Sequence, residues 1–151
     1  MAADIKGTLA QIDNCYKFFN HKGKPLTKGQ VRAVLEYGAS KGYETTDQLT
    51  DDEVDRVLRN FIYAKALEKW GQIAQLEKAQ EEATELALAI RKFTIFGGVE
   101  TLNNMCDEIA DVEIMIEQIK FMYSEVENIE NIIDNRKRMK LERLIGRLDN
   151  I

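Results

Sequence analysis

The sequence predicts an all-α protein, and three observations carry that prediction. Apolar residues recur in steps of three and four through most of the 151 residues. Three capping-box patterns, Thr27-x-x-Gln30, Thr50-x-x-Glu53 and Ser124-x-x-Glu127, mark helix starts. No alternation of apolar and polar residues runs long enough to define a strand.

The elements follow in order. Ile5, Leu9, Ile12, Tyr16 and Phe19 share one helical face, which predicts a helix over 3–19 and a loop over 20–26. A second helix opens at Thr27, shows Val31, Val34 and Leu35, and stops at Lys41-Gly42. After the connector YETTDQL, Thr50 caps a helix whose first-turn acids suit the helix dipole. It runs to about Lys69, with a turn at Trp70-Gly71. A long helix over about 72–93 follows, with Ile73, Leu76, Ala83, Leu86, Ile90 and Phe93 as its apolar stripe. Thr94 to Gly98 is a hairpin connection. The next helix, about 100–123, carries Leu102, Met105, Ile109, Val112, Ile116, Ile119 and Tyr123. Ser124 opens a last helix that reaches about Leu148. Met115, Phe121 and Met122 fall off the main stripe and predict a second buried face, hence a homodimer or homotetramer. The expected architecture is a helical bundle over 60–151, with residues 1–59 as a small helical appendage.

Charge narrows the function. The net charge of −5 divides unevenly along the chain. Residues 1–59 hold nine basic and nine acidic side chains, 60–135 hold six against fifteen, and 136–151 hold six against two. An acidic centre before a basic tail does not present the continuous basic surface that nucleic acid requires. It suits a metal–phosphate site. No apolar run approaches membrane length and the N-terminus MAADIKGTLAQ lacks an apolar h-region, so a cytoplasmic protein with no membrane partner is expected. Cys15 and Cys106 read as small buried hydrophobes of a reducing compartment. His21 reads as incidental.

The chemistry concentrates in two acidic pairs, Glu82-x-x-Glu85 and Glu108-x-x-Asp111, each spaced i,i+3 and so on one face of one turn. Both flank apolar stripes. In an antiparallel hairpin, four carboxylates would converge beside a core, where ionised acids need a partner or a metal. An all-oxygen cluster suits Mg²⁺ or Mn²⁺. The bland alternative is a set of solvated acids on Glu-rich helices. Downstream, Arg136, Lys140, Arg143 and Arg147 form one basic stripe, which reads equally as a solvated face.

The spacing ExxE, 22 intervening residues, then ExxD resembles the signature of the MazG-like all-α nucleotide pyrophosphohydrolases. The words QLEKAQEEATELALAIRK, EIADVEIMIEQ and KLERL are similar too, especially to single-domain members from bacteriophages and Gram-positive bacteria. The resemblance covers about 60–148. It implies hydrolysis of a nucleoside triphosphate to a monophosphate and pyrophosphate. It implies a metal held by Glu82, Glu85, Glu108 and Asp111, with Glu85 as the residue that orients or deprotonates water, beside Glu82, and Glu81 a weaker choice. It also implies that Lys140 and Arg143 hold the triphosphate, with Lys92 a weaker candidate. Trp70 is expected in the core or stacked on a base, and Gln75 or Asn135 at base or sugar edges. A di-iron bundle would need Glu-x-x-His on two helices, and the one histidine, His21, lies outside the region. A non-catalytic helical adaptor or nucleotide-binding regulatory protein remains the alternative.

Overall fold

A computed structural model describes residues 3–10, 23, 25–125 and 128–148. Within them the chain is helical: α1 (Ile5–Ala10), α2 (Lys28–Ser40), a 3₁₀ turn (Thr46–Gln48), α3 (Asp51–Phe96), α4 (Val99–Met122) and α5 (Ile129–Leu148). The described residues contain no strand, and one isolated bridge joins Asp4 to Thr45. The all-α expectation holds. No helix among the described residues is long and apolar enough to cross a membrane.

The chain forms two compact units, residues 1–69 and 70–151. This division lies beside a helix break. The expected boundary at 59/60 rested on where the family resemblance begins, a different criterion. Gly71 interrupts α3 with φ 83° and ψ 162°, a backbone state that side chains with a Cβ avoid. The turn expected at Trp70-Gly71 is therefore present, where one helix ends and a second begins.

In the first unit Ile5, Val31 and Leu35 form the core, with Leu9, Leu26, Ala39 and Tyr43 packed on it. Gly38 permits that packing, since a Cβ there would lie 2.8 Å from Ile5 Cδ1. Both expected capping boxes are formed. Gln30 N donates to Thr27 Oγ1 and Thr27 N to Gln30 Oε1. Glu53 N donates to Thr50 Oγ1 and Thr50 N to Glu53 Oε2. The hydroxyls of Tyr37 and Tyr43 donate to the other oxygen of Glu53, which holds its carboxyl below the ordinary range with the Thr50 cap as the main cause. The helix expected over 3–19 is seen as Ile5–Ala10. The remainder, with Cys15 and His21, lies outside the described residues.

In the second unit, α3 after Gly71 and α4 form an antiparallel hairpin. Gly97 and Gly98, at φ 61° and 92°, make the connection. The inward line of α3 is Gln75, Ala79, Glu82, Leu86, Ala89 and Phe93. That of α4 is Met105, Glu108, Val112, Met115, Ile119 and Met122, with Gln118 buried beside it. Both lines step by three and four, as expected, but they are rotated from the expected stripes. Ile73, Ile90, Leu102, Ile109 and Ile116 are exposed, whereas Met115 is buried. The physical reason is that α4 is apolar on two faces, and periodicity alone does not say which face meets α3.

The last helix starts later than expected. Ser124 lies in the turn after α4, its N–H donating to Phe121 O, and Glu127 lies outside the described residues. Asn128, at φ 64°, sets the start instead, and its carbonyl accepts from Ile132 N.

Candidate metal centre

The register of the α3–α4 hairpin positions the acids. Gln118 Nε2 donates to Gln75 Oε1 over 2.7 Å, with both side chains buried. Gln72 Nε2 donates to the Tyr123 hydroxyl over 2.7 Å one turn further out. Seven residues, two turns, separate Gln75 from Glu82 and Asp111 from Gln118. An amide pair in the core thereby sets Glu82 level with Asp111.

Oxygens of Glu82, Glu108 and Asp111 lie within 4.8 Å of one another. Glu82 is buried, Glu108 half-buried and Asp111 exposed. Glu82 and Glu108 occupy the inward lines themselves, not their edges. Glu85 is exposed, one turn along α3 from Glu82, and feels the charges of Glu82 and Glu108. Three of the four expected ligands are thus brought together, and the fourth adjoins them.

The two carboxyls of the ExxE pair are electrostatically unequal. The Lys78 ammonium lies 2.7 Å from Glu82 Oε1 and 3.1 Å from Glu81 Oε1. The Lys78 contact is the main reason that Glu82 is held below the ordinary carboxylate range, against the opposing effect of burial. Glu85 is held above it, first by the hydrogen bond to Glu82, then by desolvation, then by the charges of Glu82, Glu108 and Glu81. The pair therefore separates into a firmly ionised acid and one that takes a proton more readily.

A divalent cation fits this donor set. The ligand atoms are all carboxylate oxygens, the preference of Mg²⁺ and Mn²⁺. Small side-chain rotations close 4.8 Å to the roughly 3 Å between adjacent oxygens of a site with ~2.1 Å bonds. Lys78, one turn before Glu82, was not singled out by sequence reading. Its i,i+4 spacing to Glu82 was the signal.

Other expected site residues lie elsewhere. Gln75 is 7% exposed and bonded to Gln118, so it sets register and does not face a ligand. Trp70 is 57% exposed, not core. Lys92 lines a cleft of about 190 Å³ with Glu100, Thr101 and Asn104, ten residues or about 15 Å of helix beyond Glu82. Lys140 and Arg143 are exposed on α5. Asn135 accepts from Arg138 within α5. Cys106, expected buried, is exposed.

No protein-family model, curated protein or solved structure matches this chain.

Proposed function

We propose that the protein is a metal-dependent hydrolase that cleaves a nucleoside triphosphate between its α and β phosphates, giving a monophosphate and pyrophosphate. One observation carries this reading: oxygens of Glu82, Glu108 and Asp111 converge within 4.8 Å, with Glu85 one turn along α3 from Glu82. Glu82 and Glu108 occupy the inward lines of the hairpin; Lys78 partners Glu82, and a cation would offset the charge that Glu108 and Asp111 add beside it.

Glu82, Glu108 and Asp111 would hold Mg²⁺ or Mn²⁺, with Glu85 completing the set or facing water. The cation supplies charge neutralisation for phosphate oxygens and acidifies a water molecule. Glu85 orients that water and accepts its proton, the role its raised proton affinity suits. Lys78 balances Glu82 and Glu81 before a cation enters. Lys140 and Arg143 are the cations proposed to hold the remaining phosphate charge. The resemblance to MazG-like enzymes supports the choice of bond, and a cytoplasmic location follows the same reading.

The adaptor reading is favoured by the extensive exposed apolar surface of the second unit. Following pyrophosphate release from nucleoside triphosphates in Mg²⁺ separates the two, since an adaptor turns over nothing.

A further inference from the structure

The pairing of Lys78 is not one that helix stability selects. Its ammonium lies 2.7 Å from Glu82 Oε1 and 3.1 Å from Glu81 Oε1. An ordinary ion pair of this kind joins two exposed side chains and is worth little. A lysine four residues before a glutamate is also the less favourable order along a helix. Here the inner partner is unusual: the Glu82 side chain is 9% exposed, against 44% for Lys78. The lysine therefore reaches from solvent to the innermost acid of the trio.

Glu82 is at once a ligand of the proposed centre and the inner partner of Lys78. A divalent cation and the ammonium compete for that carboxylate, because like charges on one acid repel. With Glu82 committed to the cation, Lys78 retains Glu81, an i,i+3 neighbour whose side chain is 58% exposed, and such a pair is weak. The ammonium nonetheless stays on α3, one turn before Glu82, on a flexible four-carbon stem with three rotatable donors. A charge-assisted bond to a phosphate oxygen is stronger than the surface pair it would replace.

We propose that Lys78 is a substrate-binding residue that changes partner: it neutralises Glu82 in the metal-free protein, and donates to a phosphate oxygen of the substrate once a divalent cation has taken Glu82. It adds a cation from α3 itself to Lys140 and Arg143 of α5. The proposal rests on the hydrolase reading, and the experiment tells the failure of one from the failure of the other.

Calorimetry on the full chain is the experiment, first with Mn²⁺ alone and then with pyrophosphate at saturating Mn²⁺. Lys78→Met and Lys78→Gln should each move the two affinities in opposite directions. Mn²⁺ should bind roughly two- to fivefold tighter, and pyrophosphate about fivefold or more weaker. Lys78→Arg should keep pyrophosphate affinity within about twofold of wild type, since it keeps the charge and the donors. Lys120→Met removes the same charge nine residues along α4 from Asp111 and should also stay within about twofold. Pyrophosphate bound equally well without Lys78, both affinities weakened together, or an equal loss in Lys120→Met would each overturn the proposal while leaving the metal centre standing. A wild type that binds no Mn²⁺ would overturn the hydrolase reading and the proposal with it.

Discussion

Gln118 and Gln75 are bonded to each other, Nε2 to Oε1 over 2.7 Å, in the buried seam of the α3–α4 hairpin. Each lies two turns from an acid of the proposed centre, Asp111 on α4 and Glu82 on α3. A buried amide is satisfied only if its partner is at the right height, so the pair penalises any slip of one helix along the other.

Removing half of that pair should therefore cost more than removing both. Gln118→Leu strands the Gln75 amide in the core, and a loss of about 1–3 kcal/mol in denaturant unfolding is expected. Leu at both positions should recover most of it. Equal losses in the single and double variants would mean that the bond does not set the register.

Glu85→Gln should stabilise the metal-free protein, and the gain should depend on pH. The folded state raises the proton affinity of Glu85 above its unfolded value. The destabilisation is absent below the unfolded carboxylate pKa and complete above the folded one. Thermal melts in chelator should show wild type and variant nearly alike near pH 4, with the variant melting higher at pH 7. Glu82 has the opposite sign, since its lowered pKa contributes stability that is lost as pH falls through the folded value. A Glu85→Gln advantage that grew toward acid would contradict the assignment.

Lys78→Met removes the ammonium that neutralises Glu82 and Glu81. The metal-free protein should melt lower, because the acids then repel without compensation. Mn²⁺ should bind roughly two- to fivefold tighter by calorimetry, because the cation no longer competes with Lys78. Weaker Mn²⁺ binding in this variant would place the ion away from Glu82.

Glu108→Gln deletes one ligand charge on the opposite helix. The rise in melting temperature that Mg²⁺ gives the wild type should be lost. Equal Mg²⁺ stabilisation in both proteins would refute the centre.

Much of the fold is legible in the sequence because local chemistry dictates it. Thr27 and Thr50 start helices through their capping boxes, and Gly71, Gly97 and Gly98 interrupt them where the backbone turns left-handed. The acidic pairs are legible from their spacing. The facing of α4 is not, because Met115 and Ile116 are equally apolar and only packing selects the buried one. The role of Gln75 is hidden for the same reason, since its partner Gln118 is 43 residues away. Ser124 matches a capping box by composition, but α5 starts after the left-handed Asn128.

The hydrolase reading is tested most directly by the products formed from a panel of nucleoside triphosphates in Mg²⁺. Nucleoside monophosphate and pyrophosphate in equal amounts are expected from at least one of them. Turnover should be abolished in Glu85→Gln and Glu108→Gln proteins that keep the wild-type circular dichroism. Inorganic phosphate with a diphosphate left behind, or no turnover by a protein that binds Mg²⁺, would contradict it.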